Sequence, residues 1–186
     1  MSPARSRPFL LTASGVAFDL ASPRPQDVVA EDVAHALSRL CRFGGHARTH
    51  YSVAQHSVLV STLVPPALAL AGLLHDAAEA YVGDVVSPVK RLLADFAQVE
   101  ARVLSAVAQR FAVPAWAFDT PELAAADRAA LLAERAALLP PSPRPWGEDL
   151  AGSSASPVGR IVPWPADEAR DRFLARLDAL QARRAS

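Results

Sequence analysis

The stretch Leu73-Leu74-His75-Asp76-Ala77-Ala78-Glu79-Ala80-Tyr81-Val82-Gly83-Asp84 decides how the chain is read. It continues an apolar run that includes Leu68 and Leu70, which predicts a buried central helix from about Ala67 to Tyr81, ended by Gly83. A His followed by an Asp inside such a helix is costly to bury unless something uses both side chains. Consecutive helical residues point about 100° apart, so one metal ion lying against the helix can take both. Glu79 falls on the same face one turn later, placed to hold a water beside that metal.

Outward from this stretch, the pattern predicts an all-α bundle of six or seven helices with a small N-terminal hairpin. Two short apolar runs within residues 8–22 flank Ala13-Ser14-Gly15 and form the hairpin. Val29, Val33, Leu37 and Leu40 carry helical period from about Ala30 to Cys41, stopped by Gly44-Gly45. A second helix begins near Ser52, its N-cap, and ends before Pro65-Pro66. Beyond the central helix, Ser87-Pro88 reads as the cap and first turn of a short helix around Val89 to Leu93, and a longer helix reaches about Phe111. Thr120-Pro121 caps a helix to Leu139, and Pro165 starts an amphipathic helix to about Arg183 with Phe173, Leu174, Leu177 and Leu180 inward. Residues 140–165 hold seven prolines and read as an extended surface loop. The domain organisation expected is one domain over 1–186, with its core at about 30–139 and its last helix at 166–184.

Composition narrows the class. Hydrophobic residues make up 51% of the 186, mainly Ala, Leu and Val, which favours packed helices over disorder. Nineteen basic residues balance 19 acidic ones, so no bulk charge points to nucleic acid or an anionic membrane. Cys41 is the sole cysteine, which excludes an internal disulfide, and nothing suggests a cysteine-ligated zinc site. Arg5 and Arg7 precede an apolar run too short for a signal-peptide core, and no run reaches membrane-spanning length. A cytoplasmic protein is the expectation.

A metal at His75 and Asp76 needs ligands from other helices. His56 sits among apolar positions of the second predicted helix, and Asp127 is an acid within the Ala-rich one. Two imidazoles and two carboxylates make a mixed set suited to Mn, Fe, Co, Zn or Mg, with positions left for water and substrate.

The ordered set His56, His75-Asp76 and Asp127, each on a helix, resembles the H…HD…D signature of the HD-domain metal-dependent phosphohydrolases. Within that superfamily, His75 to Lys90 is similar to the bacterial 5′-deoxynucleotidase branch. The shared features are the HD pair, the Glu three residues on, Gly83-Asp84 and Pro88-Val89-Lys90. Val53-x-x-His56-Ser57 fits the same branch, as does Arg42-Phe43, where that branch carries Arg followed by an aromatic, often Trp. The resemblance covers about residues 38–138. It implies that His56, His75, Asp76 and Asp127 bind a divalent metal cation and that Glu79 orients the attacking water. It also implies that Asp84 assists proton transfer or holds a substrate hydroxyl, that Arg42 grips phosphate with its guanidinium fork, and that Phe43 packs against sugar or base. Lys90 is a further candidate for phosphate contact. The activity implied is a 5′-nucleotidase releasing phosphate from deoxynucleoside monophosphates, with a small-molecule nucleotide as partner, no nucleic acid, no membrane and a homodimeric assembly.

Each assignment has a plainer counterpart. Asp84 also suits a turn after Gly83, Arg42 a helix C-terminal cap, Phe43 the core, and Lys90 and Glu79 the surface. His46 and His50 have zinc-ligand spacing if helical, but Gly44-Gly45 before them predicts a loop; His35 reads as helix surface. Two other functions stay open: a deoxynucleoside triphosphate triphosphohydrolase, and a non-catalytic helical binding module that retains the fold.

Overall fold

The computed structural model describes residues 8–144, 146 and 158–185. Residues Phe9–Leu11 (β1) and Ala17–Asp19 (β2) pair antiparallel around the predicted turn, where Gly15 takes the positive φ of 87°. The turn is fastened to the first helix: Asp32 accepts from the Ser14 backbone N–H at 2.8 Å and from its hydroxyl at 2.6 Å.

The helices are Ala30–Arg39 (α1), Val53–Leu63 (α2), Ala69–Leu74 (α3), Glu79–Val82 (α4), Ser87–Lys90 (α5), Phe96–Arg110 (α6), Pro121–Leu138 (α7) and Ala166–Ala185 (α8). The all-α expectation holds, and with α3 and α4 taken as one interrupted path the described residues form about seven helices. Caps explain two of the starts. Ser52 accepts from Gln55 N–H, and Thr120 accepts from Leu123 N–H with Pro121 at the first helical position.

The core runs between α1, α2, α3 and α8, where Leu37, Leu73, Leu74, Phe173 and Leu177 are essentially inaccessible. Truncating one such leucine to alanine costs about 2–5 kcal/mol, because the cavity left behind collapses only in part. α3 is buried along its whole length, as its apolar run predicts. Gly72 is the reason it can lie so close to α2. A Cβ there would stand 3.0 Å from Val64 Cγ2 and 3.1 Å from Ser61 Cα. No helix of the described residues is long and apolar enough to cross a membrane.

The structure corrects several boundaries. α1 stops at Arg39, before the glycines, because Cys41 and Ser52 form an isolated antiparallel bridge in which Arg42 N–H donates to Tyr51 O and Val53 N–H to Leu40 O. This bridge closes the loop holding His46 and His50 and sets Arg42 beside the start of α2. Val86 is the cap residue of α5, and Ser87 lies inside that helix.

The central helix is not continuous to Tyr81. After Leu74 the bonds tighten to the i−3 spacing, with Ala77 N–H donating to Leu74 O, Glu79 to Asp76 O, and Ala80 to Ala77 O, before α4 resumes. His75 and Ala78 keep right-handed helical dihedrals, so the path bends without reversing.

Of the Pro-rich segment, residue 145 and residues 147–157 lie outside the described residues. The part from 158 to 165 has no regular secondary structure, and Gln55 ties it to α2 by donating to Val162 O and accepting from Trp164 N–H, each at 2.8 Å.

Candidate metal centre

His56 projects from α2, His75 and Asp76 from the tightened turn after α3, and Asp127 from α7. Their side chains meet. His56 Nε2 lies 3.5 Å from Asp76 Oδ2 and 3.1 Å from Asp127 Oδ1; His75 Nε2 lies 3.3 Å from Asp76 Oδ2 and 4.0 Å from Asp127 Oδ1. Metal–ligand bonds of about 2.0–2.2 Å put neighbouring donors roughly 2.8–3.6 Å apart and opposed donors about 4.0–4.4 Å apart. The four His–Asp separations fall within those ranges. Donor atoms of His56, His75 and Asp76 lie within 4.8 Å of one another, whereas the expected fourth ligand, Asp127, approaches the two imidazoles but falls outside that mutual group.

The imidazoles are oriented from behind. His75 Nδ1 donates to Gly72 O at 2.9 Å and His56 Nδ1 donates to Glu134 Oε1 at 2.8 Å. Neither acceptor can donate in its ionised or carbonyl form, so in the neutral ring the proton belongs on Nδ1 and Nε2 is the nitrogen left to bind a metal. Both Nε2 atoms are buried without a hydrogen-bond partner; the 3.1 Å approach of His56 to Asp127 lacks hydrogen-bond alignment. Two orphaned nitrogens aimed at a shared pair of carboxylates fit a divalent cation. The Nδ1 bonds are the outer contacts that ligating histidines make.

Charge points the same way. Asp76, Glu79, Asp84, Asp127 and Glu134 surround the site, against Arg42 and Lys90 as its permanent cations. Burial alone would raise the Asp127 carboxyl, but the contact with His56 and the charges of His56, His75 and Arg42 hold it well below the usual range. Glu134 is likewise held down to about 2, against its burial, by His56 and Arg42 and by the hydroxyl of Tyr51.

Arg42 is no helix cap. Its Nη2 donates to Glu134 at 3.1 Å, its Nη1 lies 3.7 Å from Asp76, and its buried Nε–H has no partner. Burial opposes its charge, yet Glu134, Asp76, Asp127 and Asp84 together more than offset this and keep it cationic. Glu79 is buried at the start of α4, with Oε1 taking Lys90 Nζ at 3.3 Å and Oε2 lacking any partner. Burial, with Asp76 and Asp84 nearby, pushes its carboxyl up to about 9 despite Lys90 and Arg42. Asp84 is half-buried and raised mainly by burial. Lys90 bridges Glu79 and Glu100, the latter at 2.7 Å, so its ammonium is already committed to carboxylates.

The pairing of His46 with His50 does not materialise: His50 Nε2 instead lies 3.2 Å from Ser38 O, at the end of α1. His35 is part-exposed on α1. Glu134 and Tyr51 are the residues that sequence reasoning missed. Glu134 follows Asp127 by seven, two turns along the same face of α7, and that spacing was the available signal. Tyr51, wholly buried, donates its hydroxyl to Glu134 at 3.0 Å, and no pattern around it announces this.

No family model matches the chain. It is 36% identical over 172 residues to the uncharacterized protein YfdR of Escherichia coli (strain K12), an alignment covering 92% of this chain and 95% of YfdR. The chain belongs to the YfdR family. The uncharacterized protein RCAP_rcc00048 of Rhodobacter capsulatus is 39% identical over 112 residues, 55% of this YfdR-family chain and 57% of that protein.

Proposed function

We propose that this YfdR-family chain is a divalent-metal-dependent phosphohydrolase of the HD type that releases phosphate from deoxynucleoside monophosphates. The observation that carries the proposal is the convergence of two bare Nε2 atoms on Asp76 and Asp127, with the buried Arg42 guanidinium beside Asp76. A divalent ion held by His56, His75, Asp76 and Asp127 supplies Lewis acidity toward water and a phosphate oxygen. The chain does the rest. Arg42 keeps its Nε–H without a partner and turns Nη1 toward Asp76 at 3.7 Å, leaving donor capacity for a phosphate, while Glu134 takes Nη2. Glu79 Oε2, unpartnered, orients the attacking water, and Lys90 positions Glu79 from its other oxygen. Asp84, within electrostatic reach of Arg42 and Glu79, receives a substrate hydroxyl or moves a proton.

The test is phosphate release from deoxynucleoside mono- and triphosphates with added Mn, Co, Mg or Zn, alongside the metal content of the purified protein. Inorganic phosphate from the monophosphates is expected. No turnover with any metal, or full activity in Asp76→Ala, sinks the proposal; release of triphosphate reassigns the chain to triphosphohydrolase chemistry.

A further inference from the structure

The phosphohydrolase reading leaves the nucleoside half of the substrate without a surface, and one contact supplies it. Trp146 comes from the Pro-rich segment and meets Phe43 edge-to-face, with ring centroids 6.3 Å apart and planes at 63°. Arg135, the residue after Glu134 on α7, places its guanidinium carbon 4.6 Å from the Trp146 ring centre. Arg42 in turn stands 5.6 Å from the Phe43 ring centre and 3.7 Å from Asp76. A continuous path therefore runs outward from the carboxylate of Asp76 through a cation and then two aromatic rings.

Two features set this pair apart from ordinary packing. Phe43 sits at φ 58°, a left-handed conformation that a bulky side chain rarely takes, within a turn whose neighbours Gly44 and Gly45 are also left-handed. Trp146 keeps 41% of its surface exposed although its ring has both an aromatic and a cationic neighbour. A tryptophan serving the core would be covered; this one keeps an open surface beside Phe43, whose other neighbour is Arg42 at the candidate metal centre.

Resting on the phosphohydrolase reading, we infer that Trp146 and Phe43 form the wall against which the base of the nucleotide lies, with Arg42 taking the phosphate. Trp146 is then a specificity-determining residue, and Arg135 fixes its ring. Aromatic–base contacts tolerate every base because each presents a π face, so the wall selects nucleotides over sugar phosphates and discriminates weakly among bases.

The experiment compares deoxynucleoside monophosphates with deoxyribose 5-phosphate, which has the phosphate and sugar but no base. In Trp146→Ala the ratio of kcat/KM for nucleotide to that for sugar phosphate falls about tenfold, mostly through KM, and Trp146→Phe restores most of it. An equal loss on both substrates would mean a purely structural role and would overturn the inference, as would an unchanged ratio. A second measurement is independent of turnover. With Trp116→Phe and Trp164→Phe in place, Trp146 is the remaining indole, and its fluorescence is quenched by a deoxynucleoside monophosphate and not by deoxyribose 5-phosphate. Quenching without hydrolysis of any phosphate ester would remove the phosphohydrolase reading and keep the base wall. Hydrolysis with an unchanged ratio and no quenching would do the reverse.

Discussion

Glu134 Oε1 accepts from His56 Nδ1 at 2.8 Å with both side chains wholly inaccessible to solvent. The same carboxylate takes Tyr51 and Arg42, so three donors depend on one buried acid. Replacing Glu134 by Ala strands a buried guanidinium and an imidazole, a loss of about 3–5 kcal/mol in stability. Glu134→Gln retains the shape and an acceptor but not the charge, and metal affinity should fall about 10- to 100-fold, as for other outer contacts to a ligating histidine. Urea unfolding and metal titration check the two effects separately.

Metal itself should stabilise the fold, since its donors come from α2, the turn after α3, and α7, which unfolding separates. At a free metal concentration 100 times Kd the gain is about 2.7 kcal/mol. Thermal melts of chelator-treated protein with and without added Mn or Co should show the Tm rise, and Asp76→Ala should abolish it. An equal rise in Asp76→Ala would place the binding elsewhere.

Gly72 carries two duties, and a single substitution tests both. Gly72→Ala drives a methyl group against Val64 and the Ser61 backbone, an overpacking cost of about 1–3 kcal/mol. It also shifts the carbonyl that orients His75, so metal affinity should drop together with stability. A variant that is destabilised but binds metal as tightly as the parent would uncouple the two.

Without metal, stability should fall as pH rises from 6 to 9. The Glu79 carboxyl lies at about 9 against an ordinary 4.5, raised chiefly by burial, and the His56 imidazole at about 10 against 6.5, where burial and Arg42 lower it but Glu134 and Asp127 together raise it more. Both are raised in the folded chain, so each contributes fully below its ordinary value and loses that contribution as pH climbs toward its folded value. Glu134, at about 2 against 4.5, acts in the opposite sense and matters only as pH falls through that lower window. The urea midpoint of chelator-treated protein should therefore drop between pH 6 and 9, less steeply in Glu79→Gln. Metal binding needs the His56 proton gone, so it should tighten over that range.

Much of the site was legible in the sequence because its parts obey local rules. His75-Asp76 are adjacent, and His56 and Asp127 stand out as polar residues inside apolar or Ala-rich helical patterns. Helical period sets Glu79 on the face of His75 and Asp76, which favours the site over the surface for it. The regular helix is shorter than that period suggests: a run of helix-forming residues carries no sign that its hydrogen bonds tighten from Leu74 to Ala80, a change made where α3 gives way to the site.

The amino-acid order by itself determined the helices, their caps at Ser52 and Thr120, the hairpin, and the residue types able to hold a cation, since these follow from propensity, periodicity and chemistry within a few residues. Only the tertiary structure decided what stands behind those ligands. Glu134 reaches His56 across 78 positions, Arg42 reaches Glu134 across 92, and Trp146 meets Phe43 from beyond α7. No local pattern encodes such pairs. They arise because a buried polar group must find its partner wherever the packed helices bring one within reach.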